Sequence, residues 1–220
     1  MTITVLLVDD HVLVREGLAA LLAAQHDIRV VGQAAHGREA LALAETLAPR
    51  VVVMDIAMPE LNGLEATERL CERLPATRVV VLSMHSTREH VARALRAGAL
   101  GFLLKEDAAS ELVQAVRTVA AGRRYLSRAL EHAGIAGWLE EDKDRTPLER
   151  LSPREREVLQ GVVEGHSSTE IASFLGLSPK TVETYRSRLM EKLGVNDVPS
   201  LVKFALQHGL TSLRQAGKRR

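Results

Sequence analysis

Two stretches of this chain, Val51-Val52-Val53-Met54 and Val79-Val80-Val81-Leu82, are apolar at every position. A strand with one wet face alternates apolar and polar residues, so unbroken runs of this kind belong to strands covered on both sides. Three further short runs, Ile3–Val8, Arg29–Ala34 and Gly101–Leu104, also read as strands. Ala- and Leu-rich stretches with helical spacing fill the intervals, at Leu13–Ala24, Arg38–Ala48, Leu64–Leu74, Thr87–Ala97 and Ala109–Ala121. Five such units with short connections predict a five-stranded, doubly wound parallel α/β sheet, in the order 2-1-3-4-5. Aromatics are only 3% of the chain, so the cores must be built from Val, Leu, Ile and Ala.

The alternation stops near Gly122. Residues 122–147 have no strong period and carry the charged run Glu140-Glu141-Asp142-Lys143-Asp144-Arg145, which reads as a linker with room for a short helix around Ala129–Ala136. Beyond it the pattern is helical throughout. Ser152-Pro153 with Glu155, and Ser167 with Glu170, are capping boxes, and Ser178-Pro179 is a third helix start. Gly165, Gly176, Gly194 and Gly209 mark the stops. The predicted helices run 153–164, 168–175, 179–193 and 198–208, the middle pair joined only by Gly176-Leu177-Ser178. A short helix, a tight turn and a longer helix make a helix-turn-helix. The divisions are therefore 1–121, 122–147, 148–212 and a basic tail, 213–220, ending in Lys218-Arg219-Arg220.

Ligands of open α/β sheets sit at the carboxyl ends of the strands. Asp9 and Asp10 follow the first strand, Asp55 ends the third, Ser83 ends the fourth and Lys105 follows the fifth. Singly, each has a bland explanation as a turn, cap or surface residue. Jointly, the order 2-1-3-4-5 brings them to one edge. Three carboxylates brought together repel one another and call for a hard divalent cation such as Mg²⁺. A carboxylate so placed can attack a phosphoryl group, with Lys105 neutralising the transferring oxygens. In the loop that follows, Pro59 and Gly63 fix the turn and Asn62 with Glu65 caps the next helix.

Asp9-Asp10, Asp55 with Met58-Pro59 and Gly63, Ser83, and Lys105 three residues after Phe102 together resemble the receiver domain of two-component response regulators, a flavodoxin-like fold. The resemblance implies that Asp55 is the phosphoacceptor. It implies that Asp10, Asp55 and the Ala57 carbonyl bind Mg²⁺, with Asp9 nearby. It further implies that Ser83 and Lys105 engage the phosphoryl group while Phe102 swings inward.

Leu151-Ser152-Pro153-Arg154-Glu155, Glu170-Ile171-Ala172, Leu177-Ser178-Pro179-Lys180-Thr181-Val182-Glu183 and Lys192-Leu193-Gly194-Val195 resemble the LuxR-type helix-turn-helix of NarL/FixJ regulators. Independently of that resemblance, Val182, Leu189 and Leu193 form an apolar stripe on the third helix. The opposite face offers Lys180, Glu183, Thr184, Ser187 and Arg188, with Thr181 at the helix start. Glu183 can accept from cytosine, Arg188 can pair with guanine or phosphate, and Lys180 sits where a phosphate would lie. Charge agrees with this division. Residues 1–150 hold 18 Lys/Arg against 21 Asp/Glu, and residues 151–220 hold 11 against 7.

Enzyme readings find less support. The chain lacks GxSxG and a P-loop, no strand candidate ends in the Asp-x-Asp of haloacid-dehalogenase-type phosphatases, and its eight His are scattered without metal spacing. One cysteine, Cys71, excludes an internal disulfide framework and fits a reducing compartment. The apolar start has no basic leader, and no run approaches the ~18 residues a membrane span needs, so a cytoplasmic chain is expected. The reading is a phosphorylation-controlled, DNA-binding transcription regulator rather than an enzyme. Its implied partners are a sensor histidine kinase, double-stranded DNA, a second copy on phosphorylation and RNA polymerase. The alternatives are a phospho-aspartate-switched partner-binding module and a DNA-binding regulator gated by a ligand or partner without phosphorylation.

Overall fold

The computed structural model describes residues 2–132, 147–208 and 210, and the chain divides into two compact units, 1–141 and 142–220. In the first, strands β1 (Ile3–Val8), β2 (Ile28–Ala34), β3 (Val51–Asp55), β4 (Arg78–Ser83) and β5 (Gly101–Leu104) form a wholly parallel sheet. Helices α1 (Val12–Ala23), α2 (Gly37–Leu47), α3 (Gly63–Arg73), α4 (Arg88–Arg96) and α5 (Ala108–Ala120) connect them, with a 3₁₀ turn at Lys105–Asp107 before α5. The strand pleat divides the unbroken apolar runs between two cores. Leu6, Val8, Val52, Met54, Val79 and Val81 face the core closed by α2, α3 and α4, whereas Val5, Leu7, Val51, Val53, Val80 and Leu82 face the one closed by α1 and α5. That two-sided burial is why β3 and β4 show no alternation.

The sheet has six strands rather than five, in the order β2-β1-β3-β4-β5-β6. Tyr125 and Leu126, expected in the linker, form β6 along the outer edge of β5. A short helix α6 (Arg128–His132) follows, and its Leu130 is buried in the same core as Phe102 and Leu126. The Tyr125 hydroxyl donates to Glu111 Oε2 on α5 at 2.5 Å, and the Ser127 N–H donates to the Phe102 carbonyl at 3.0 Å. The packed unit thus continues past residue 121. Trp138 and the charged run at 140–145 lie outside the described residues.

The second unit contains α7 (Pro153–Val163), α8 (Ser168–Leu175), α9 (Pro179–Leu193) and α10 (Val198–Gln207), preceded by a 3₁₀ turn at Pro147–Arg150. Both capping boxes form. Ser152 Oγ accepts from Glu155 N while Glu155 accepts from Ser152 N, and Ser167 and Glu170 repeat the arrangement. Gly176 ends α8 in the left-handed region at φ 65°, which lets the chain turn directly into α9. Leu148, Val158, Leu159, Ile171, Val182, Leu189, Leu201 and Ala205 form a core separate from the sheet's. On α10, Leu201 and Ala205 are buried while Val198, Val202 and Phe204 pack at the margin of that core. Phe204 is half-buried against its own domain. Gly209 and the basic tail 213–220 lie outside the described residues. Among the described residues no helix is long and apolar enough to cross a membrane.

Candidate functional site

The strand order reverses between β1 and β3, and the parallel register Val8↔Met54 sets Asp9 beside Asp55 at their carboxyl ends. Register Ser83↔Leu104 likewise sets Ser83 beside the start of the Lys105 turn. The topology therefore delivers all of these residues to one edge. Asp9 and Asp55 are almost fully buried, and Lys105 Nζ lies 2.8 Å from Asp9 Oδ2 and 2.8 Å from Asp55 Oδ2. Asp10 is half-buried beside them, and Ala57 follows in the loop after Asp55.

Electrostatics follow from that burial. Loss of hydration pushes the Asp55 carboxyl up to about 7; Asp9 and Asp10 add to the rise, and Lys105 opposes it. Burial disfavours the Lys105 ammonium, but Asp55 and Asp9 outweigh it and hold the lysine above its usual range. Three carboxylates face one close ammonium, and all their donor atoms are hard oxygens. Such a set fits a small divalent cation, and one ligand atom each from Asp9, Asp10, His11 and Asp55 lies within 4.8 Å of the others.

The loop carrying Asp55 is held by its own backbone. Gly63 N–H donates to the Ile56 carbonyl at 2.9 Å, and Ile56 N–H donates to the Leu82 carbonyl at 3.2 Å. Asn62 Oδ1 caps α3 by accepting from Leu64 and Glu65 N–H, both at 3.1 Å. A Cβ on Gly63 would lie 1.8 Å from the Asp55 carbonyl oxygen. Gly63→Ala must therefore shift the backbone of the site itself. It should lower stability by ~2 kcal/mol or more, read by urea unfolding. An unchanged midpoint would show that the loop yields freely.

Ser83 is buried, and its hydroxyl donates to the His85 carbonyl and accepts from His85 N–H, both at 3.0 Å. Phe102 is fully buried, so in this structure the ring is already inward. Sequence reasoning passed over His11. Its Nδ1 lies 2.8 Å from Asp10 Oδ1 and 3.3 Å from Asp9 Oδ1. Its adjacency to Asp9-Asp10 was the available signal, and only the fold brings Asp55 close to all three.

In the second unit, α9 buries Val182 and Leu189 and leaves Lys180, Glu183, Thr184, Ser187 and Arg188 exposed. Three of the polar side chains already have internal partners. Ser168 Oγ donates to Glu183 Oε1, Thr184 Oγ1 donates to the Lys180 carbonyl, and Thr181 takes part in the cap made by Ser178. Thr181 is half-buried, which fits a helix-starting role.

The family described as "Response regulator receiver domain" matches residues 5–117, and "Bacterial regulatory proteins, luxR family" matches residues 149–205. The chain belongs to the LuxR-type response regulators. It is 41% identical to the transcriptional regulatory protein MctR of Rhizobium johnstonii over 210 residues, 96% of each chain. Against the response regulator UvrY of Escherichia coli K12 it is 38% identical over 208 residues, 94% of this chain and 95% of that one. Among solved structures, a LuxR-family response regulator from Aurantimonas superposes with a TM-score of 0.58 at 35% identity, over 65% of this chain and 99% of that one. An RcsB–DNA complex superposes with a TM-score of 0.58 at 26% identity, over 93% and 98%. The first unit is thus a receiver domain and the second a LuxR-type DNA-binding domain, which makes the chain a DNA-binding transcription regulator of a two-component system. Receiver domains take a sensor kinase as partner and bind Mg²⁺ at an acidic pocket, and the cluster of Asp residues lies where that pocket belongs.

Proposed function

We propose that Asp55 accepts a phosphoryl group from a histidine kinase and that the modified protein binds double-stranded DNA as a dimer through α9. The observation that carries this reading is the buried Asp9–Lys105–Asp55 cluster, with Lys105 Nζ 2.8 Å from both carboxylates. Asp55 attacks the phosphorus of the kinase's phosphohistidine; the new P–O bond forms as the P–N bond breaks, and the imidazole leaves with a proton. Mg²⁺, held by Asp10, Asp55 and the Ala57 carbonyl with Asp9 nearby, would supply charge neutralisation on the transferring oxygens. Lys105 then pairs with the phosphoryl group, and Ser83 turns from His85 to hydrogen-bond it. Phe102 keeps its buried position as Ser83 moves. The receiver spans 1–121 with β6 and α6 added to its edge, and the DNA-binding domain spans 148–212. The regulator acts in the cytoplasm, with RNA polymerase as the downstream partner.

Duplex binding measured with and without acetyl phosphate and Mg²⁺ tests the whole reading, since tight binding should need both. Binding that ignores the phosphodonor supports gating by a ligand or partner instead, and no DNA binding in either state supports a protein-binding module.

The reading face has its own test. Glu183→Ala should change preference at particular base positions. The same variant frees Ser168, so Ser168→Ala serves as the control for lost intradomain contact. Lys180→Ala should weaken all sequences alike and make the salt slope shallower by ~1. Unchanged affinity and slope in both would reassign the groove face.

A further inference from the structure

Lys192 stands in the last turn of α9, and its Nζ donates to Glu155 Oε2, in the first turn of α7, at 2.7 Å. The same ammonium lies 3.4 Å from the Arg150 carbonyl, at the end of the 3₁₀ turn that precedes α7. Glu155 is almost fully buried, and its Oε2 also accepts from the Ser152 N–H at 2.7 Å. Burial works to raise the Glu155 carboxyl, but Lys192 and the Ser152 cap outweigh it and hold the group below the usual carboxylate range. Glu155 is thus an anion fixed by the α7 cap, and the rear of α9 is tied to it.

The body of α9 is seated by apolar contact. Val182 and Leu189 are buried, while Tyr185, Met190 and Leu193 pack at the margin of the core. Such contact is non-directional and leaves a helix some freedom to roll and tilt. A charged hydrogen bond fixes a direction. The consequence grows with distance from the tie. Lys180 lies about 18 Å along the helix axis from Lys192, so a tilt of ~5° at the rear carries it ~1.6 Å. Groups that recognise a ligand need holding to within ~0.5 Å. We propose that the Glu155–Lys192 ion pair is a positioning contact for DNA reading, which sets the angle at which α9 presents Lys180–Arg188 to the groove without itself touching DNA. The inference rests on the reading that α9 is the helix that enters the groove.

The test uses the full chain with acetyl phosphate and Mg²⁺, a duplex that the wild-type protein selects from a random library, and a scrambled duplex of the same composition. Glu155→Gln removes the charge but keeps an acceptor for the Ser152 cap, and Lys192→Met removes the ammonium. Each should weaken the selected duplex at least ~5-fold, the scale of one mismatched base pair, and change the scrambled one less than about twofold. The double variant should lose no more than either single one, because both remove the same contact. Lys192→Arg, which keeps the charge, should restore preference for the selected duplex. The rival role, a phosphate contact by Lys192, predicts opposite signs. Glu155→Gln would then free the ammonium and tighten binding, whereas Lys192→Met would weaken both duplexes and make the salt slope shallower by ~1. That pattern, additive losses, equal losses on both duplexes, or no loss would overturn the positioning role. Glu183→Ala and Lys180→Ala separate the two levels. If they act and the ion-pair variants do not, only the positioning role fails. If they leave both duplexes unaffected, the assignment of α9 to the groove fails with it.

Discussion

Asp55→Asn protein incubated with acetyl phosphate and Mg²⁺ should gain no phosphoryl adduct by intact-mass spectrometry, under conditions in which wild type becomes labelled. The substitution is nearly isosteric and keeps the side chain at the end of β3, but the amide is not a competent nucleophile. Lys105 retains Asp9 as a partner at 2.8 Å, so the edge of the sheet should hold its shape. An adduct on the variant would move the phosphoacceptor elsewhere. The same variant carries a second signature without metal. Because folding raises the Asp55 carboxyl from 3.8 to about 7, the folded wild type retains a proton that the unfolded chain releases. Wild-type stability in chelator should therefore fall, relative to Asp55→Asn, as pH rises from about 4 through about 7. A shift of this size corresponds to at most ~4 kcal/mol. Urea midpoints of the two proteins at pH 5 and pH 7.5 measure it, and parallel pH profiles would contradict the burial cost assigned to Asp55.

Residues 147–220 alone should bind operator duplex without phosphodonor, whereas the full chain should bind tightly only when phosphorylated. The DNA-binding domain has its own core, so the fragment should fold. One α9 covers only a few base pairs, and specific affinity needs two copies on half-sites roughly 34 Å apart or a multiple of that. Raising the competent fraction from one in a hundred to nearly all takes ~5.5 kcal/mol of differential stabilisation and improves apparent affinity ~100-fold. Charge-assisted hydrogen bonds contribute ~1.5–3 kcal/mol each. Three such contacts, from Ser83, Lys105 and Mg²⁺ to a phosphoryl group, are of the order required, and the two hydrogen bonds that Ser83 gives up at the His85 backbone count against them. Sedimentation should shift from monomer to dimer over the same phosphodonor range. Tight operator binding by the unphosphorylated, monomeric full chain would reject the coupling while leaving DNA binding intact.

What could be read from the sequence is what local chemistry dictates. The all-apolar runs of β3 and β4 announce burial on both faces, and the Ser-x-x-Glu pairs announce helix starts that the structure reproduces atom for atom. Strand order followed from reading the five strand–helix units as a doubly wound sheet, and with it the convergence of Asp9, Asp10, Asp55, Ser83 and Lys105. Two features escaped because their causes are tertiary. A two-residue strand carries no periodicity, and Tyr125-Leu126 pairs only because β5 offers an open edge. The internal partners of Glu183 and Thr181 depend on how α8 and the α9 cap meet, which no spacing reveals.

The short sixth strand has a practical consequence for dissecting the protein. It shields the outermost backbone of β5, and Ser127 and Leu130 complete the cover over Phe102. A receiver fragment ended at 121 would remove that cover and bare a row of unpaired backbone groups beside an apolar core. Two such fragments would zip together edge to edge, with or without phosphate. In sedimentation that artefact would counterfeit the very dimer whose appearance is meant to report signalling, so fragments of this receiver should run past His132.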